Sequence, residues 1–216
     1  MLALNLPQDG AKPLKILCLG AHSDDIEIGC GGTVLRMLSE RRSIHVVWVV
    51  FASNSERERE ARNSAACFLS SAAHKEIVVK HFRDGFFPFE GAQIKDYYEE
   101  LKATAPDLIF THNRKDAHQD HRLIAELTWN TFRNHLILEY EIPKYDGDLG
   151  QPNFFVPLDR EVYEKKVDYI MQAFETQRTK QWFGKDTFLA LMRVRGMECV
   201  AASGYAEAFY CRKLVL

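Results

Sequence analysis

The chain has no Cys-x-x-Cys pair, no internal repeat and no low-complexity stretch. Nor does any apolar run approach the ~18 residues that read as a membrane span. Its five cysteines (Cys18, Cys30, Cys67, Cys199, Cys211) are odd in number and widely spaced, which argues against a disulfide framework and against a thiolate metal site. Cys18 and Cys67 sit in apolar runs and read as inert core residues. Cys30 lies between glycines and reads as buried, or as lining a nearby site. Charge of one sign is not in excess either. With 28 basic and 30 acidic side chains the net charge is −2, too little field to gather a polyanion, so no nucleic-acid partner is expected. Met1–Lys15 lacks the charged start and apolar centre of a signal peptide. Residues 1–14 therefore read as a short tail before the first strand, and a cytoplasmic protein is expected.

What is present is enough for one sizeable core. With 216 residues, 46% of them hydrophobic, a single domain over residues 1–216 is expected. Short β-type runs alternate with longer helical ones. Lys15–Leu19, Ile44–Phe51, Glu76–Lys80, Asp107–Thr111 and Leu136–Tyr140 read as strands, and Ala208–Cys211 as a last one. Helical spacing covers Thr33–Arg42, a segment capped by Asn54 or Ser55 and running to about Ser70, then Gln93–Ala103, His118–Phe132 and Val162–Phe174. Glu141–Asn153 is rich in proline and turn residues and reads as a loop. This order predicts a three-layer, Rossmann-like α/β fold with a mainly parallel sheet. Ligands of such sheets gather beyond the carboxyl ends of the strands, and a metal site is expected there.

Two dense clusters of histidine and aspartate follow two of these strands. The first runs Gly20-Ala21-His22-Ser23-Asp24-Asp25-Ile26-Glu27-Ile28-Gly29-Cys30-Gly31-Gly32-Thr33. Imidazole nitrogen and carboxylate oxygen both suit zinc, and a tight turn can aim His22 and Asp25, three apart, at one ion. Asp24 would then point elsewhere, close to the ion but free to take a proton. A plain Asx turn is the bland alternative. A dinucleotide cradle is weak, because the Gly-x-Gly-x-x-Gly spacing is absent. The second cluster is Thr111-His112-Asn113-Arg114-Lys115-Asp116-Ala117-His118-Gln119-Asp120-His121. A hydrolytic zinc needs a third protein ligand and an open position, and His121 can meet His22 and Asp25 there.

At these residues the sequence resembles the PIG-L/LmbE-like family of zinc-dependent N-deacetylases. Residues 21–33 match Ala-His-Pro-Asp-Asp-x-Glu-x-Gly-x-Gly-Gly-Thr everywhere except Ser23, where proline is usual. Asp116, His118, Asp120 and His121 match Asp-x-His-x-Asp-His in full. The resemblance implies that His22, Asp25 and His121 bind Zn2+ and that Asp24 is the general base. It also implies that His118 is general acid or oxyanion donor, with Asp120 orienting a nearby imidazole. An Arg-x-x-Glu before an alanine-rich helix fits Arg57 and Glu60, which would put Arg57 in the substrate pocket. Arg59 is its rival, and a solvated helix face the plainer reading. Asp84-Gly85 resembles a sugar-hydroxyl contact, or is a plain turn.

The activity implied is removal of the acetyl group from an N-acetylglucosamine-type conjugate, a small-molecule partner. The aromatics Tyr140, Tyr145, Phe154 and Phe155 would lie over the ring as a lid or serve as ordinary packing. The family resemblance also allows a homo-oligomer. Two other readings stay open: a sugar- or nucleotide-binding module with a structural metal, and a metal-dependent phosphoesterase. Only three protein ligands are evident, whereas a structural zinc normally has four. A two-metal site needs more carboxylates than are evident.

Overall fold

In a computed structural model that describes residues 12–215, seven strands form one sheet in the order β3-β2-β1-β4-β5-β7-β6. The strands are β1 (Leu14–Gly20), β2 (Ile44–Ala52), β3 (His74–Phe82), β4 (Leu108–His112), β5 (Leu136–Tyr140), β6 (Phe154–Pro157) and β7 (Ala206–Cys211). The first five run parallel, with Leu14 opposite Ile44 and Ile16 opposite Leu108. β7 then joins β5 antiparallel, and β6 joins β7 the same way. The helices are α1 (Asp25–Glu40), α2 (Ser55–Phe68), α3 (Gly91–Leu101), α4 (Gln119–Thr131), α5 (Arg160–Ala173) and α6 (Lys185–Glu198). The tail expected at the amino terminus lies mostly outside the described residues. Among the described residues no helix is long and apolar enough to cross a membrane.

Alternation along the strands builds two cores. In β1, Ile16 and Cys18 face one side of the sheet and Leu17 and Leu19 the other, each almost wholly buried. The first side carries Trp48 and is covered by α1, α2, α5 and α6; the second carries Phe51 and is covered by α4 and by α3, whose Tyr98 packs there. Burying each such large apolar side chain contributes about 1.5–3 kcal/mol. Sheet and two helical layers make the three-layer arrangement expected.

Two expectations are corrected, and two elements are added. The first helix starts at Asp25 and not at Thr33, so the glycine-rich half of the first motif is helical rather than a loop. Its glycines lie where neighbours press on the helix backbone, and this packing outweighs their poor helix propensity. α6 and β6 lie in segments to which the sequence pattern assigned no element. α6 has apolar and polar residues on all sides, with Val194 and Met197 exposed, so its periodicity is faint. β6 is only four residues long and contains Pro157, which an edge strand tolerates. Cys67 is exposed at the end of α2, not in the core, because helical spacing turns it outward between the buried Ala65 and Phe68.

Candidate functional site

Strand order places the candidate residues. The chain passes from β1 to β2 and β3 on one side, then returns to β4 on the other, so β1 and β4 are neighbours whose connections diverge. That divergence opens a crevice at their carboxyl ends. His22 follows β1, Asp24 sits at the start of α1, and Asp25 is its first residue. After β4, His118 caps α4, with Asp120 and His121 in the first turn. Asn54 caps α2, accepting from the N–H groups of Glu56 and Arg57, which starts the helix so that Arg57 lies in its first turn. Asp84 follows β3, where Gly85 takes a left-handed φ of 78° that a side chain would strain.

Three donor atoms converge in the crevice. His22 Nδ1 lies 3.1 Å from His121 Nε2 and 3.4 Å from Asp25 Oδ2, and the last two are 3.5 Å apart. A tetrahedral ion with bonds of about 2.0–2.1 Å would hold its ligands roughly 3.3–3.4 Å apart. Donor types and spacing both fit zinc. Three lone-pair donors aimed at one another in a buried place also repel unless a cation or proton lies between them.

Each imidazole is oriented from behind. His22 Nε2 lies 3.2 Å from Asp120 Oδ2 and 3.0 Å from Asp84 Oδ1. His121 Nδ1 lies 2.9 Å from Asp116 Oδ2, whose other oxygen is 3.1 Å from Lys144 Nζ. A proton held on the outer nitrogen leaves the inner lone pair pointing at the centre. His112 stacks on His121 with ring centroids 3.9 Å apart, and its Nε2 is 3.2 Å from Asp25 Oδ2. The backbone N–H of His22 also donates to that oxygen over 2.6 Å.

The charges are distributed unevenly. Burial lowers the pKa of His22, but its contacts with Asp120, Asp25 and Asp84 outweigh this and hold it well above the usual imidazole value. Burial and the neighbouring His112 push His121 down to about 4. Burial opposes the ionised form of Asp25, yet His121 and His112 hold it well below the carboxylate range. The hydrogen bond from His22 brings the more exposed Asp84 to about 2. Asp24 goes the other way: burial raises it, against the pull of Arg57. Its Oδ1 accepts from Arg57 over 2.9 Å, and its Oδ2 is buried without a hydrogen-bond partner. His118 is lowered by burial and by His22. Its Nδ1 accepts from the Asp120 N–H over 3.2 Å, so the neutral ring carries its proton on Nε2.

A family model described as "PIG-L: GlcNAc-PI de-N-acetylase" matches residues 17–132, more than half of the chain and the whole stretch holding these side chains. The chain belongs to the PIG-L family. An uncharacterized deacetylase of Escherichia coli K12, YaiS, is 28% identical over 142 residues, 59% of this chain and 74% of that protein. Among solved structures, the N,N'-diacetylchitobiose deacetylase of Pyrococcus horikoshii superposes with a TM-score of 0.68 at 20% identity, over 91% of this chain and 83% of that one. The 4-carboxy-2-hydroxymuconate hydratase GalB of Pseudomonas putida KT2440 superposes with a TM-score of 0.73 at 16% identity, over 94% and 98%. A hydratase and a deacetylase thus share this PIG-L architecture, and fold alone does not separate their chemistry.

Every residue singled out in the two PIG-L motifs meets in this crevice. Arg57 reaches Asp24 while Arg59 is exposed, so of the two arginines only Arg57 contacts the cluster. Sequence reasoning missed the positions of Asp116 behind His121 and His112 beside Asp25. Asp116 stood in the second motif as its opening aspartate, and that was the available signal. Glu27 is buried with neither oxygen hydrogen-bonded, and burial raises its pKa well above the usual value. The aromatic lid is corrected. Tyr140 is fully buried and donates to the Leu19 carbonyl over 2.6 Å, and Phe154 and Phe155 belong to edge strand β6. Only Tyr145, 70% exposed, is free of the fold.

Proposed function

We propose that this protein is a zinc-dependent N-deacetylase that hydrolyses the acetamide of an N-acetylglucosamine-type conjugate to free amine and acetate. The observation that carries the reading is the convergence of His22 Nδ1, Asp25 Oδ2 and His121 Nε2 at 3.1–3.5 Å beside a buried, unpartnered oxygen of Asp24. Family membership supports the deacetylase class, and the diacetylchitobiose deacetylase with the same fold makes an acetylated amino sugar the natural substrate to try first.

His22, Asp25 and His121 would hold the ion, which supplies Lewis acidity to water and to the acetyl carbonyl when bound. The chain's own groups divide the rest. Asp24 Oδ2 takes the proton of the attacking water; Arg57, bonded to Oδ1, keeps the carboxylate in place. Burial has raised Asp24 towards the range where it can both accept a proton and give it back. As the carbonyl carbon becomes tetrahedral, negative charge gathers on its oxygen, and the Nε2–H of neutral His118 is the donor available to it. When the C–N bond breaks, the nitrogen leaves as an amine, protonated by His118 or by Asp24 returning its proton. Asp120 holds His22 in the tautomer that presents Nδ1. Asp84, exposed at the rim, keeps an oxygen for a sugar hydroxyl.

The test is to incubate the purified protein with N-acetylglucosamine and its conjugates, with and without a chelator, and to measure acetate and free amine. Release that stops on chelation and returns with one equivalent of zinc is the expected result. Release undiminished after complete removal of divalent metal would sink the proposal. Two equivalents of metal with phosphate-ester cleavage would favour a phosphoesterase instead.

A further inference from the structure

The glycine-rich half of the first motif has no part in this chemistry, and it is where two buried charges meet α1. Glu207 on β7 accepts from the Gly32 N–H over 2.8 Å, and from the Thr33 N–H and hydroxyl over 2.6 Å each. Lys166 on α5 donates to the Ile28 carbonyl over 2.7 Å and to Glu207 over 2.6 Å. Both side chains are about 3% exposed. A β-carbon at position 32 would fall 2.9 Å from Glu207 Oε1 and 2.5 Å from Leu158, so only glycine lets the carboxylate reach the backbone.

Stability is a poor reason for such a pair, because well-packed apolar residues commonly replace a buried ion pair without loss. Its distinctive feature is what it grips. Three of its contacts are to backbone atoms of α1, and side-chain rotamers do not soften a backbone contact. Two other faces of the same helix are seated as closely. A β-carbon at Gly29 would lie 2.2 Å from the Tyr140 ring, and one at Gly31 would lie 2.6 Å from Phe68. α1 is therefore held from the sheet, from α2 and, through charge, from α5 and β7. It is capped by Asp24 and opens at Asp25, about 10–12 Å along the axis from Gly32 at roughly 1.5 Å per residue.

We infer that Lys166 and Glu207 are positioning residues, setting the depth and rotation of α1 so that its amino end presents Asp24 and Asp25 to the crevice. The inference rests on the site reading above. It also gives a functional task to a part of the chain beyond residues 17–132.

The experiment compares Glu207→Leu, the pair Lys166→Met/Glu207→Leu, and Glu207→Gln. Four quantities are read: thermal midpoint, amide exchange of residues 25–29, zinc affinity by chelator competition, and kcat against KM for acetate release. Glu207→Leu alone leaves an unpaired buried ammonium and should lose stability. The paired variant should regain the wild-type midpoint, yet show faster exchange at 25–29, weaker zinc binding and a kcat lower by about 10²-fold with KM unchanged, as expected for catalytic groups misplaced by an ångström. Glu207→Gln keeps one acceptor and should fall between the two. A paired variant with wild-type midpoint, exchange, affinity and kcat overturns the inference. If the paired variant does not fold, a folded Glu207→Gln with unchanged exchange and affinity overturns it equally. Exchange needs neither zinc nor substrate, so failure of the hydrolase reading would not be mistaken for failure of this one.

Discussion

The two ends of the sheet contain similar side chains and very different arrangements. At the amino ends of the strands, His45 and His74 sit with ring centroids 5.3 Å apart. They line a groove of about 430 Å³ together with Lys15, Glu76, Glu100 and Tyr97. At the carboxyl ends, His22 and His121 lie 5.1 Å apart by the same measure. Composition and ring spacing do not distinguish the two. The surroundings do. Behind His22 and His121 stand Asp120 and Asp116, buried and within 3.2 Å of the outer ring nitrogens. Beside His45 and His74, Glu76 and Glu100 are exposed. No group of donor atoms close enough to share an ion forms at that end among the described residues. A histidine pair becomes a site when something fixes where its lone pairs point.

The comparison can be broken most severely at the proposed ligands. His121→Ala should release the metal and abolish turnover, read by metal content and acetate release together; a full equivalent of zinc in that variant would remove His121 from the ligand set. Next, Asp24→Ala should keep its zinc while kcat falls by about 10²–10⁴, and near-normal turnover would assign the base elsewhere. A smaller effect tests the orienting acids. Asp116→Asn leaves His121 in place but weakens the acceptor behind it, so zinc affinity should drop by about 10–100-fold in a chelator titration. An unchanged affinity would make Asp116 a packing residue. Smallest of all, His45→Ala/His74→Ala should alter neither zinc content nor activity. A lost equivalent there would make the groove at the amino ends a metal site in its own right.

The candidate cluster was legible in the sequence because it is dense: three histidines and two aspartates fall between Thr111 and His121. Strand–helix alternation made the parallel part of the sheet readable for a similar reason, since β1, β2, β4 and β5 are largely apolar runs and β3 keeps an apolar centre at Ile77, Val78 and Val79. What stayed hidden depends on contacts across long separations. Glu207 meets Gly32 from 175 residues away, and nothing in the run Ala206–Cys211 marks that glutamate as different from a solvent-facing one. The glycines of α1 misled because their reason for being there is what presses on them, and a one-dimensional pattern does not contain it. α6 escaped notice through its exposed Val194 and Met197. The Arg57–Arg59 choice needed the helix rotation that the Asn54 cap supplies.

Asp120 has an effect beyond orienting one ring. Its Oδ2 also accepts from the Gly85 N–H over 2.6 Å and its Oδ1 from the Phe87 N–H over 3.1 Å, so one carboxylate ties the turn after β3 to His22. Moving that turn therefore strains contacts to the same carboxylate that faces the imidazole. If His22 holds the proposed ion, reshaping the rim for a different guest should also alter the grip on that ion, because the same carboxylate serves both.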